Sequence, residues 1–158
     1  MPDARKNQHA DALAMRLSTK GRYAVMAMTD LARRQGERAV SLADIAERQE
    51  ISLSYLEQLF ARLRRRGLVV SARGPGGGYR LARAAEDLSI ADIVLAVDEP
   101  LHATRCERHA SAGCMLKGER CLTHDLWDEM GRKIHDYLES VSLADVILGR
   151  LGADRKAA

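Results

Sequence analysis

S-L-A-D-I-A-E-R-Q-E-I-S-L-S-Y-L-E-Q-L-F, residues 41–60, contains two helix starts separated by a tight turn. A serine before an apolar run accepts the N3 amide, and an aspartate at N3 places negative charge at the positive end of the helix dipole. Ser41 and Asp44 satisfy that rule, so a short helix is expected through Arg48 with Leu42, Ile45 and Ala46 inward. After the Q-E-I turn, Ser52 opens another helix in which Leu53, Leu56, Phe60 and Leu63 recur at helical spacing. Gly67 suits the left-handed residue that stops it.

Working outward, residues Thr19–Arg34 read as a preceding helix with Ala24, Ala27, Met28 and Leu31 on one stripe, ended by Gly36. Downstream, Leu68–Ala72 and Tyr79–Ala82 alternate as two strands around A-R-G-P-G-G-G-Y, residues 72–79. Helix, short helix, turn, helix and two-stranded ribbon is the order of a winged helix-turn-helix. Its third helix is the one expected in a major groove.

The residues fit that use. Ser54, Tyr55, Glu57 and Gln58 lie on the N-terminal half of the third helix, away from its apolar stripe. Gln can pair with adenine and Glu can accept from cytosine N4. The glycine loop lacks the Lys-Ser/Thr and following helix of a phosphate cradle. It reads instead as a wing tip: Gly74 and Gly76 keep it slim, Pro75 stiffens it, and Arg73 at its base suits the negative potential of a minor groove. Lys20 and Arg22 are further phosphate candidates, as are Arg62, Arg64, Arg65 and Arg66, which suit the helix dipole equally well.

Charge supports a polyanion partner on one side only. The chain has 158 residues and a formal charge of +3. Residues 16–83 carry 14 Lys and Arg against 6 Asp and Glu, whereas residues 84–158 carry 9 against 14. No apolar run reaches the roughly 20 residues of a membrane span. The first 14 residues lack a signal peptide's apolar core and read as a disordered arm, with Met15 a candidate start. Cytoplasmic residence without membrane contact is expected.

The second half opens with a helix at 89–98, broken at Pro100. A cysteine-bearing loop follows, then a long helix from about Leu122 to Ser140. Leu126, Trp127, Met130, Ile134, Tyr137 and Leu138 share one side of that helix. So broad an apolar face suits a homodimer seam, or packing within the protomer. The capping pattern recurs as S-I-A-D-I at 89–93 and S-L-A-D-V at 142–146. The fold class is mainly α with a small β-hairpin wing, a winged helix-turn-helix domain plus a long C-terminal dimerisation helix. The expected divisions are an arm at 1–14, the DNA-binding domain at 15–83, the cysteine loop and dimerisation helix at 84–147, and a flexible tail at 148–158.

Cys106, Cys114 and Cys121 are odd in number and confined to 16 residues, which is no disulfide framework. Thiolate and imidazole suit iron–sulfur clusters and zinc alike. Structural zinc prefers tight pairs, and only Cys121-x₂-His124 is tight here. Unligated thiols stay open as a reading, while a Cys121–His124 nucleophilic pair lacks an orienting third residue.

Several segments together resemble one family. M-R-L-S-T-K-G-R-Y-A-V (15–25), S-L-A-D-I-A-E-R-Q (41–49), I-S-L-S-Y-L-E-Q-L-F (51–60), R-G-P-G-G-G-Y (73–79), A-V-D-E (96–99), A-T-R-C (103–106) and C-L-T-H-D-L-W (121–127) are similar, in order, to the IscR family of iron–sulfur cluster regulators. The resemblance spans about residues 15–147. It implies a homodimeric transcription regulator, repressor or activator, that binds double-stranded operator DNA. It also implies a 2Fe–2S cluster on Cys106, Cys114, Cys121 and His124, iron–sulfur assembly proteins as cluster donors, and assembly genes as targets. Seven and six residues separate the cysteines, more than the family pattern has, which brings His109 forward as a substitute ligand. In nitric-oxide-sensing members of the family a carboxylate precedes the first-helix tyrosine and completes a 4Fe–4S cluster. Here that position is Arg22, whose guanidinium has only donors.

Overall fold

A computed structural model describes residues 18–36, 38–98, 101, 106 and 113–152. The expected arm, the Met15 start, Pro100, His109 and the last six residues lie outside the described residues.

Helices α1 (Thr19–Arg34), α2 (Leu42–Gln49) and α3 (Leu53–Arg65) are followed by strands β1 (Val69–Ala72) and β2 (Gly78–Leu81). A 3₁₀ turn at Ala85–Asp87 leads to α4 (Ile90–Ala96), α5 (His124–Ser140) and α6 (Leu143–Leu148). The serines set the starts. Ser41, Ser52, Ser89 and Ser142 each accept the N3 amide, from Asp44, Tyr55, Asp92 and Asp145. At Ser89 and Ser142 the aspartate also accepts the serine's own N–H, closing a reciprocal capping box.

Helix α1 is the hub. Ala24, Ala27, Met28 and Leu31 are fully buried and face α2, α3, α4 and α6 together. The first helix does not end on Gly36. It ends one residue earlier, at extended Gln35, whose N–H donates to Leu31 O and whose side chain accepts the Leu81 N–H at 2.9 Å. On α3 the buried set is Leu56, Leu59, Phe60 and Leu63, while Leu53 stands 42% exposed. Leu53 is the first helical residue, ahead of the turn that meets α1, and Leu59 takes its expected place. Gly67 is left-handed at φ +73°, as the end of α3 requires.

The core does not stop at the wing. Leu88, Ile90, Ile93, Val94, Val97, Leu101, Val141 and Leu143 belong to the same hydrophobic cluster as the α1–α3 residues. The chain before α4 and the chain before α6 lie antiparallel, with Ile90 N–H donating to Val141 O and Leu143 N–H to Leu88 O. Both capping boxes therefore open side by side, and α6 returns to pack on α1.

Helix α5 is different. Only His124 and Gly131 are buried along its length, and Leu126 and Tyr137 are more than half or half exposed. Its polar side is laced by Asp128–Arg132, Glu129–Arg132 and Glu129–Lys133 pairs. Leu126, Met130, Ile134, Tyr137 and Leu138 line a largely apolar groove, with Glu129 and Lys133 at its edge. Helix α5 starts two residues later than expected, because the turn from Cys121 O to His124 N–H holds Leu122 and Thr123 outside the helix.

Candidate DNA-reading face and cysteine site

Ser54, Glu57 and Gln58 are exposed on the first turns of α3, with Tyr55 half-buried beside them. Tyr55 meets Tyr23 of α1 edge-to-face at 6.0 Å, so the start of α1 sits against the start of α3. That contact sets the first turn of α1, with exposed Arg22 and half-buried Lys20, beside the N-terminal end of α3. At its other half, Phe60 packs edge-on against Tyr79 at 4.9 Å and fixes β2 to α3.

The wing is built by two kinds of glycine. Gly77 N–H donates to Gly74 O with Pro75 and Gly76 between, and Gly76 has φ +74°. That is a type II turn, which needs positive φ at its third residue. Gly74 and Gly76 are exposed with open space where a side chain would go, and Arg73 is exposed beside them. Gly77 and Gly78 have a different role. A Cβ on Gly77 would lie 2.6 Å from Ala72 O, and one on Gly78 would lie 2.2 Å from Val40 O. Val40 and Tyr79 exchange both backbone hydrogen bonds, so Val40 forms a one-residue third strand that sequence reading missed. Two of the four glycines are thus required by internal packing rather than by a slim tip.

The C-terminal arginines divide. Arg64 and Arg65 are exposed, whereas Arg62 and Arg66 turn toward Asp98 at 2.6 and 3.6 Å.

The three cysteines converge. Their Sγ atoms all lie within 4.8 Å of one another, with Cys106 to Cys121 at 3.8 Å. His124 Nδ1 stands 3.5 Å from Cys114 Sγ. Two sulfurs on one tetrahedral metal at ~2.3 Å are about 3.8 Å apart, and a sulfur–nitrogen pair about 3.5 Å apart. Cys106/Cys121 and Cys114/His124 therefore each match one metal's pair of vertices. His124 is buried, and its Nε2 has no partner among the described residues.

The loop geometry explains how the longer second gap, residues 115–120, is absorbed, whereas residues 107–112 of the first gap lie outside the described residues. Gly118 N–H donates to Met115 O in a turn with Gly118 at φ +79°, and Gly113 N–H donates to Gly118 O. Gly113 is the close approach: a Cβ there would lie 2.2 Å from Glu119 O. Residues 115–120 thus project as a hairpin that returns Cys121 to Cys114, whose sulfur accepts the Cys121 N–H at 3.1 Å. Thr123 and Trp127 are site residues that sequence reading missed. The Trp127 indole N–H donates to Thr123 Oγ1 at 3.0 Å, leaving the hydroxyl proton free for Cys121 Sγ at 3.7 Å. The Cys121 thiol is held below its usual range, first by hydrogen bonding with Cys114 and then with Thr123. The only available hint was C-L-T-H-D-L-W itself, where Trp follows Thr by one helical turn.

A winged-helix transcription regulator with a thiol-lined loop is the class that this fold and site define. The chain belongs to the Rrf2 family, whose model, described as an iron-dependent transcriptional regulator, matches residues 17–148. It is 54% identical over 133 residues to the HTH-type transcriptional regulator IscR of Erwinia tasmaniensis, covering 84% of this chain and 79% of that one. To the IscR of Serratia proteamaculans it is 53% identical over 133 residues, with the same coverage. Among solved structures, T. potens IscR superposes with a TM-score of 0.69 at 38% identity over 93% of this chain and 99% of that one. CymR, the global cysteine regulator of B. subtilis, gives 0.71 at 32% over 86% and 98%. The chain is accordingly a DNA-binding transcription regulator of the IscR type and not an enzyme. Among the described residues no helix is long and apolar enough to cross a membrane.

Proposed function

We propose that this regulator is a homodimer that senses iron–sulfur status through a 2Fe–2S cluster on Cys106, Cys114, Cys121 and His124. The carrying observation is the convergence of three thiols with a buried imidazole at tetrahedral-edge distances. Thiolates hold iron, and a histidine ligand raises the reduction potential relative to all-thiolate ligation when a cluster is bound. Gly113 and the Gly118 turn bring the ligands together, and the Trp127–Thr123 hydrogen bond orients a donor at Cys121. Iron–sulfur assembly proteins are the expected donors and their genes the expected targets, because the relatives are IscR proteins. Residence in the cytoplasm follows from the same reading.

In DNA, Glu57, Gln58, Ser54 and Tyr55 read base edges, while Lys20, Arg22, Arg73, Gly74 and Gly76 contact the backbone and minor groove. The apolar face of α5 forms the dimer seam, supported by its exposure in the single chain. One observation favours a second reading, a single structural zinc: three sulfurs within 4.8 Å suit one tetrahedral ion, and a two-iron cluster needs the two ligand pairs to spread.

Operator affinity of the anaerobically loaded dimer, compared with the chelator-stripped dimer, tests the sensing role. A difference of about fivefold or more is expected for a site coupled to the reading helices. Equal affinities with the cluster present would contradict it.

A further inference from the structure

Helix α4 ends at Ala96, and two residues later Asp98 takes a left-handed conformation at φ +58°. Aspartate is among the few residues that enter this region without large cost. The conformation aims the carboxylate back at the C-terminal end of α3. Asp98 Oδ2 accepts Arg62 Nη1 at 2.6 Å, and Oδ1 lies 3.6 Å from Arg66 Nη2. The same Arg62 nitrogen reaches Val97 O at 3.4 Å. Two guanidiniums at the end of the reading helix thus close on one carboxylate.

The carboxylate sits where the cysteine segment begins. Val97 on one side is fully buried, Leu101 on the other is buried in the core cluster, and Cys106 follows, itself buried. Asp98 is the described ion-pairing residue between α3 and this stretch. No base or phosphate contact needs an anion here, since a carboxylate near DNA would repel it.

We propose that Asp98 is a positioning residue that ties α3 to the cysteine segment, so that the state of the thiol site reaches DNA as a change in the seating of the reading helix. This rests on the sensing role proposed above. Cys106, held against Cys114, Cys121 and His124, comes eight residues after Asp98 in sequence, and the Asp98 clamp relays a constraint placed on that segment to Arg62 and Arg66. The pairs are partly exposed, so the coupling they carry is modest, about two- to fivefold in affinity.

The test uses full-length protein, loaded with iron and sulfide under anaerobic conditions or stripped with a chelator. Asp98→Asn keeps a residue that accepts the left-handed backbone while removing the charge. Its loaded-to-stripped affinity ratio should shrink toward unity by about two- to fivefold, with iron content and Tm as in the wild type. Arg62→Gln should shrink the ratio equally, and the double variant no further than either single one, because both act through one contact. An Arg62 that only touched phosphate would instead lower both affinities together and reduce the salt slope, leaving the ratio intact. That result, or an unchanged ratio in Asp98→Asn, overturns the clamp. A wild type whose affinity ignores loading defeats the sensing role and the clamp with it. A wild-type ratio that survives in both variants defeats the clamp alone. If Asp98→Asn fails to fold, Arg62→Gln and Arg66→Gln, both at the exposed helix end, decide the matter by the same ratio.

Discussion

Gly113 shows how much one hydrogen atom can matter. With a Cβ 2.2 Å from Glu119 O, Gly113→Ala must open the hairpin that returns Cys121 to Cys114. We expect iron bound per protomer to fall severalfold in anaerobic preparations while helix content stays unchanged; full iron retention would mean the hairpin is not needed for loading. Glu57 is a different residue-scale case, exposed and without a described ion pair on the outer face of α3. If it reads a cytosine, Glu57→Ala should relax base preference at one operator position and keep overall affinity within about tenfold. A randomised-operator selection that returns the wild-type preference would make Glu57 a solvated helix residue. At this scale the sequence was only partly legible. Ser41, Ser52, Ser89 and Ser142 announced themselves, because capping is local chemistry that spacing alone reveals. Asp98 and Gly113 did not: Asp98 answers to Arg62 and Arg66 more than thirty residues away, and Gly113 to the particular turn by which Gly118 and Glu119 fold back on it. Leu53 and Leu59 exchanged places for a similar reason: periodicity defines a stripe, and the neighbouring helix decides where it begins.

Among the elements, the wing carries a stability claim and a binding claim that can be separated. Gly78→Ala forces a methyl into Val40 O and should cost about 1–3 kcal/mol, read as a lowered Tm, because it parts β2 from its one-residue neighbour strand. Arg73→Ala should leave Tm untouched, weaken operator binding and flatten its salt dependence by about one phosphate's worth. Affinity equal to the wild type at two salt concentrations would remove Arg73 from the interface. Helix α5 makes the other claim at this scale. Its groove of Leu126, Met130, Ile134, Tyr137 and Leu138 is left open by the described residues, and the proposed dimer seam covers it. Ile134→Asp should yield a monomer in sedimentation, with operator affinity reduced more than tenfold because one half-site then binds alone. A dimer that persists would put the seam elsewhere. Element order and helix type were legible from period and caps, and the boundaries of α1, α2 and the two strands fell within a residue or so. The start of α5 was not, since the cysteine site, rather than helix propensity, holds Leu122 and Thr123 outside it.

On the scale of the whole molecule, α6 closes the fold. It brings Leu143 back against the core of α1, so the reading half and the half bearing the cysteines share one hydrophobic cluster. Charge nonetheless divides them, cationic over residues 16–83 and anionic beyond. Under the proposed function, the cationic N-terminal half is the one expected to attract DNA. The sequence held that asymmetry in plain view, whereas the α6 return was hidden, since a capping motif says that a helix begins but not what it packs on. The same limit applies to the metal. Ligand types narrow the choice to an iron–sulfur cluster or zinc; the tetrahedral-edge pairs Cys106/Cys121 and Cys114/His124 fit the ligands of one metal or of each of two, while the overall compactness favours one. Mössbauer spectroscopy with iron, sulfide and zinc counts on anaerobically purified dimer decides directly. About two irons and two sulfides per protomer are expected, with two inequivalent iron sites of which one is lost or altered in His124→Ala. About one zinc per protomer without iron, or roughly four irons, would contradict that expectation.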